Sequence, residues 1–112
     1  MNDNLKNLAK ASSILKSIAH PTRLAVLDLL LKEEKMNVNT MQEILGCEQS
    51  LLSHHLGILK SSSLVKTERE AQFVFYLLNE VERPLLVQCM KIFNFIKEEG
   101  SENHFSILKT KN

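Results

Sequence analysis

The stretch Thr40-Met41-Gln42-Glu43-Ile44-Leu45-Gly46-Cys47-Glu48-Gln49-Ser50-Leu51-Leu52-Ser53-His54-His55-Leu56 decides how this chain folds. Thr40 followed three residues later by Glu43 reads as a capping box, with Thr40 as N-cap and each side chain satisfying a free backbone donor of the other. That predicts a short helix over 40–45, stopped by Gly46. A longer helix follows from about Gln49 to Ser61. Leu52, Leu56 and Leu59 recur on its inward face, while Ser50, Ser53, His54, Gly57 and Lys60 share the outward one. Only Gly46, Cys47 and Glu48 join the two. A short capped helix, a tight Gly turn and a longer helix with a polar outer face form a helix-turn-helix arrangement. There the first helix braces the second, whose opening turns enter the major groove of double-stranded DNA. Gln49, Ser50, Ser53 and His54 fall on those turns, where they can meet base edges or phosphates.

Beyond this unit, Leu64 to Arg69 and Phe73 to Leu78 alternate and favour β-branched or aromatic residues. They predict a hairpin across Glu70-Ala71-Gln72, with Lys66 and Arg69 as phosphate contacts beside Lys60. The last helix is expected from Arg83 or Pro84 to Glu99, closed by Gly100. It carries Leu85, Leu86, Val87, Met90, Ile92, Phe93, Phe95 and Ile96 on nearly every side. A helix apolar all round needs cover on more than one face, which points to a partner subunit. Residues 101–112 show no periodicity and read as a mobile tail after one domain over 1–100.

Toward the N-terminus, Leu5, Leu8, Ser12, Leu15, Ile18 and Ala19 form one apolar stripe on a helix over 5–19. His20-Pro21 interrupts it, since the residue before proline is pushed out of helical geometry. A second helix begins at Pro21, runs through Leu24, Val26, Leu27, Leu30 and Leu31, and ends in the solvated Lys32-Glu33-Glu34-Lys35. The expected fold is mainly α, with five helices and a small β-hairpin wing: a winged helix-turn-helix.

The bulk numbers permit this without suggesting it. The 112 residues suffice for one domain, and 44% apolar content fits a folded core. Fourteen Lys and Arg against 13 Asp and Glu leave a formal charge of +1, no basic excess of the kind many nucleic-acid binders carry. No stretch approaches the roughly 20 clean apolar residues of a membrane span. The start MNDNLKNLAK has no apolar export signal, and two cysteines make a poor disulfide framework, so the cytoplasm is the expected compartment.

Several spaced segments carry a family resemblance. Ala19-His20-Pro21-Thr22-Arg23-Leu24, with the Leu-rich helix after it, resembles the ArsR family of bacterial repressors. So does Gln49-Ser50-Leu51-Leu52-Ser53-His54-His55-Leu56, followed by Leu59-Lys60 and Leu64-Val65. Phe73-Val74-Phe75-Tyr76-Leu77-Leu78 is similar to that family's second wing strand. The likeness spans residues 5–98, nearly all of the expected folded part. It implies a homodimer built on the first and last helices, bound to operator DNA of two-fold character and released when an inducer binds.

The departures concern sensing. Many members carry a Cys-Val-Cys metal motif at the start of the third helix, where this chain has Asn37-Val38-Asn39, and an amide supplies no thiolate. Others hold zinc with Asp and His on the last helix, but Arg83 to Glu99 contains neither. No metal and no cofactor is expected. The wing tip, commonly Gly and Arg, is Glu70-Ala71-Gln72 here. Over 48–72, Lys60, Lys66 and Arg69 balance Glu48, Glu68 and Glu70, so non-specific affinity should be modest.

The remaining reactive residues have two readings each. Cys47 and Cys89 are candidate redox thiols, since some members sense oxidants with paired cysteines, or else small buried hydrophobes. The family's known switches place the first thiol on the second helix, and here that helix has none. His54 points outward as a candidate DNA contact. Adjacent His55 diverges by about 100° and reads as a packing or phosphate-bonding residue. His20 reads as structural at the helix junction, His104 as a solvated tail residue, and Met36, Met41 and Met90 as core filling. Arg23 fits either a phosphate contact or an Asp or Glu partner. With no nucleophile elbow, Gly-rich phosphate loop or metal-ligand spacing, an enzyme is not expected. A DNA-binding repressor is the first reading. A winged-helix protein-interaction module without DNA binding is the second, motivated by the near-neutral reading surface.

Overall fold

His20 and Pro21 set the first break in the chain. In the computed structural model, which describes residues 2–99, His20 is extended and its Nδ1 accepts a hydrogen bond from the Thr22 N–H at 3.0 Å. It is thus the N-cap of the helix that Pro21 opens, the structural role expected of it. Helix α1 (Asp3–Ile18) precedes this junction and α2 (Pro21–Lys32) follows it. The expected tail over 101–112, with His104, and the stop at Gly100 lie outside the described residues.

The apolar stripe expected on α1 is not its core face. Of Leu5, Leu8, Ser12, Leu15 and Ile18, only Ile18 is buried, and Leu5, Leu8 and Leu15 are about half exposed, at 50%, 57% and 54%. Ile14, one position away from the stripe, packs against the core instead.

After α2 the chain forms an unforeseen two-residue strand, β1 (Met36–Asn37), and then α3 (Val38–Leu45). The predicted Thr40 cap and Thr40–Glu43 capping box are therefore corrected. Asn37 is the N-cap, its Oδ1 accepting from the Thr40 N–H at 2.9 Å. Pairing of Asn37 with Phe75 holds its backbone extended, as an N-cap requires, and Asn ranks above Thr in that role. The helix then starts one turn earlier than the Thr40 reading placed it. Gly46 closes α3 in the left-handed region at φ 67°, as expected.

Helix α4 (Gln49–Ser61) follows the turn, and β2 (Val65–Glu70) and β3 (Phe73–Leu78) make the wing. The three antiparallel strands run in the order β1-β3-β2, with Val65 opposite Leu78 and Glu70 opposite Phe73. Glu70 belongs to the ladder, so the connection is Ala71-Gln72 rather than three residues, with Ala71 at φ 54°. A positive φ at the first turn position matches the strand twist in two-residue hairpins. Helix α5 (Arg83–Glu98) closes the described chain.

The core lies where these elements meet. Leu27 and Leu30 of α2, Met41 of α3, Leu52 and Leu59 of α4, Leu64 and Leu86 are fully buried, and Leu56 and Leu78 almost so. Each such leucine contributes on the order of 2 kcal/mol through its burial. Met36 and Met90 are buried too, as core filling.

The end of α4 uses a left-handed residue without being glycine. The Leu64 N–H reaches the Leu59 carbonyl and the Ser63 N–H the Lys60 carbonyl, both at 3.0 Å, a Schellman closure with Ser63 at φ 61°. That backbone costs a side-chain-bearing residue about 1 kcal/mol or more. Ser63→Gly should therefore raise stability by about 0.5 kcal/mol, after allowing for the extra chain entropy of glycine. Gly46→Ala should lower it by about 1 kcal/mol through the backbone alone, since a Cβ at Gly46 would meet nothing within 4 Å. Urea midpoints at unchanged slope check both.

Candidate nucleic-acid interface

Leu52, Leu56 and Leu59 turn one side of α4 into the core and leave the other bare. Gln49, Ser50, Ser53, His54, Gly57 and Lys60 are all exposed on it. The expected set thus shares one solvent-facing surface, concentrated on the first two turns. Ser50 is tethered there, its hydroxyl donating to Glu48 Oε1 at 2.8 Å. Glu48 precedes the helix as N-cap but makes no capping bond itself.

Lys66 and Arg69 are exposed on β2, three residues apart. Successive side chains alternate across a strand, so the two cations project from opposite faces of the hairpin. The acidic wing tip also changes meaning. Glu70 accepts from Lys35 Nζ, in an ion pair that joins the wing to the segment before β1. Lys35 also lies 5.0 Å from the Phe75 ring centroid. The hydrogen bond to Glu70 is the main cause holding the Lys35 ammonium above its ordinary pKa, despite partial desolvation. With Glu70 paired, Lys60, Lys66 and Arg69 face only Glu48 and Glu68, and the expected balance becomes a small positive excess.

Beneath the polar face lies a contact that no local pattern announces. His55 is buried, with 4% of its surface exposed, and its Nδ1 sits 3.1 Å from Arg23 Nη1. A guanidinium only donates, so Nδ1 accepts and the neutral ring carries its proton on Nε2. The His20 and His55 rings stack with centroids 4.2 Å apart, and His54 meets His55 edge-on at 5.3 Å. Burial, then the charges of His20, Arg23 and His54, lower the His55 pKa from its ordinary 6.5. Arg23 has no Asp or Glu partner: the ion pairs among the described residues are Lys32–Asp28, Lys35–Glu70 and Arg83–Glu80. Thirty-two residues separate Arg23 from His55, and the only local hint was the pair of basic residues flanking Pro21-Thr22.

Cys47 and Cys89 are free thiols, half-buried and packed against the core, the first in the turn before α4 and the second on α5. The apolar residues of α5 divide. Leu86 and Met90 are buried, whereas Leu85, Val87, Ile92, Phe93 and Phe95 are exposed. An apolar pocket of about 440 Å³, lined by Leu24, Leu29, Leu45, Met90 and Phe93 among others, opens between α2, the end of α3 and α5. No helix among the described residues is long and apolar enough to cross a membrane.

A braced polar helix followed by a twisted hairpin defines a winged helix-turn-helix protein. The comparisons place it further. Residues 18–68 match the family described as a helix-turn-helix domain. The transcriptional activator HlyU of Vibrio cholerae is 40% identical over 85 residues, 76% of this chain and 78% of that protein. Its solved structure superposes with a TM-score of 0.72 at 36% identity, covering 79% of this chain and 96% of that one. The biofilm growth-associated repressor of Xylella fastidiosa is 32% identical over 88 residues, 79% and 76% of the two chains. Mb0332 from Mycobacterium bovis, described as a homodimeric winged helix-turn-helix DNA-binding domain and possible ArsR-family regulator, superposes with a TM-score of 0.74. It is 25% identical and covers 88% of this chain and 93% of that one. The chain belongs to the ArsR-type winged helix-turn-helix regulators and is a DNA-binding transcriptional regulator.

The lowered His55 pKa has a stability consequence of definite sign. The folded state binds fewer protons at His55 than the unfolded chain does. Stability from this group is therefore complete above the unfolded value of 6.5 and is lost as pH falls through it toward the folded value. One such proton contributes at most about 1.4 kcal/mol per pH unit. In His55→Asn, which retains an acceptor near Nδ1 but does not titrate, the decline in unfolding free energy between pH 7 and pH 5, set by the folded and unfolded values of one histidine, should be shallower than in the wild type by a fraction of one proton.

Proposed function

We propose that this regulator is a cytoplasmic repressor acting as a homodimer, paired through α1 and α5, on a two-fold operator from which an incoming signal releases it. The observation that carries the DNA side is the bare polar face over the first two turns of α4, set against the buried Leu52, Leu56 and Leu59 behind it. Gln49, Ser50, Ser53 and His54 read base edges or fix the helix in the groove. Lys60, Lys66 and Arg69 hold phosphates. Because Lys66 and Arg69 project from opposite faces, the wing suits an edgewise position between two backbone strands, with one cation toward each.

Pairing is supported by the apolar surface that one protomer leaves open. Leu5, Leu8 and Leu15 on α1 and Ile92, Phe93 and Phe95 on α5 are all about half exposed or more. Exposed apolar residues of this number on two helices support pairing with a partner subunit. A redox signal would have Cys47 and Cys89 as its thiols, the only two in the chain.

Two variants test the reading. Ser53→Ala with His54→Ala removes exposed groups, so the fold should persist while operator affinity falls at least tenfold, consistent with about 1–3 kcal/mol per base contact. Normal gel retardation by that double variant would exclude the recognition-helix assignment. Ile92→Glu, at a position 66% exposed in the protomer, should shift sedimentation from dimer to monomer and weaken operator binding with it.

A further inference from the structure

Arg23 stands in an electrostatically unfavourable place. It is the third residue of α2, inside the turn whose free N–H groups carry positive partial charge. Its side chain is half-buried and its Nε is sequestered from solvent without an acceptor. Its hydrogen-bond partner is His55, which has a second buried and unsatisfied donor at Nε2. His20 stacks on that ring and His54 meets its edge. One guanidinium, three imidazoles and a helix N-terminus converge here with no carboxylate paired to any of them among the described residues. The charges acting on His55 are accordingly all basic groups: His20, Arg23 and His54.

A partly buried cation without a counter-charge destabilises the isolated protein, and two orphaned donors add to the cost. An oxyanion arriving from outside, at the accessible part of the half-buried Arg23 side chain, supplies the missing counter-charge. Its source follows from position. His54, on the exposed face of α4, borders the same cluster, so the cluster flanks the turns assigned to the groove. With those turns inserted, the duplex backbone passes along the flank of the helix. A guanidinium fork also matches two phosphate oxygens better than any other side chain does.

We propose that Arg23, held in place by His55 and flanked by His20, binds a backbone phosphate of the duplex that α4 reads. His55 is the positioning residue and Arg23 the contact. The assignment rests on the DNA reading above, and the test separates the two.

The full-length wild type is first used to select a duplex from a random-sequence pool, and its affinity is followed over roughly 50–200 mM KCl, a range where phosphate contacts dominate the salt dependence. If it binds no duplex with salt-dependent affinity, the DNA reading itself fails. Where it does bind, Arg23→Gln should weaken binding about tenfold and make the log affinity–log salt slope shallower by about one unit per Arg23 engaged, without reordering preference among base variants. An unchanged slope, at any affinity, overturns the phosphate contact. If Arg23→Gln does not fold, Arg23→Lys keeps the charge but loses the fork. Neutral methylphosphonates placed one at a time in the duplex should then cost Arg23→Lys less than wild type at one position per half-site. Equal penalties at every position overturn the proposal. A saturable rise in melting temperature with millimolar inorganic phosphate, absent in Arg23→Gln and accompanied by an unchanged duplex slope, would assign the site to a free oxyanion and overturn the duplex assignment.

Discussion

Everything the outer face of α4 can do depends on how Leu52, Leu56 and Leu59 seat its inner face against α2 and the wing. These leucines are at most 1% exposed, and they meet Leu27, Leu30, Met41, Leu64 and Leu78 in one cluster. Close packing leaves the helix no rotational freedom about its own axis. A rotation of one residue, about 100°, would drive Ser53 or Gly57 into the core and bring a leucine out. The core therefore orients the polar face as much as it stabilises the protein. Gly46 and Ser63, both left-handed, bound α4 before and behind, so its register is held at each end.

The electrostatics follow a similar division between surface and support. Composition gives a nearly neutral chain, and the wing looked self-cancelling. The ion pair between Lys35 and Glu70 changes that, because it withdraws a negative charge from the wing by tying it to the entry of β1. On the other flank, Arg23 and three histidines gather without acids. Charge is thus sorted by the tertiary fold rather than by sequence blocks: Glu70 at the wing tip is paired with Lys35, while the basic groups beside α4 have no acidic partner among the described residues. Field strength close to these groups matters more than the sum, since screening removes contributions beyond about 8–10 Å at ordinary ionic strength.

Elements with strong local signals were legible in the sequence. The α4 periodicity, the Gly46 stop, the His20-Pro21 break and the alternation of β3 each arise from chain chemistry within a few residues. The exposed set from Gln49 to Lys60 follows from the same periodicity. What was not legible depends on pairings across the fold. Thr40 with Glu43 satisfies a capping pattern, yet Asn37 caps α3 because β1 pairs with β3, 38 residues later, and sets its backbone. Glu70 looked like a loop residue until its strand partner Phe73 and its ion-pair partner Lys35 were both known. On α1 the apolar stripe was real, but periodicity alone does not say whether a stripe faces its own core or another surface. The Arg23–His55 contact is of the same kind, joining two helices through residues whose neighbours in sequence say nothing of each other.

The exposed apolar helices and the modest charge are connected through specificity. A helix of 13 residues is about 20 Å long, and only its first turns reach base edges. Four polar side chains, at about 1–3 kcal/mol for a good contact, discriminate a few base pairs at most. Regulators need specific binding typically 10³–10⁷ tighter than non-specific binding, about 4–10 kcal/mol, and one such helix reaches the upper part of that range only if all four side chains make good base contacts. A second copy of the same helix doubles the bases read, and α1 and α5 carry the apolar surface to join two copies. A strongly basic wing would raise affinity for every sequence alike and so add nothing to that ratio. Weak overall charge with a few well-placed cations therefore suits the proposed pairing of two α4 helices, in which the apolar surface of α1 and α5 would matter to the reading as much as the polar side chains of α4.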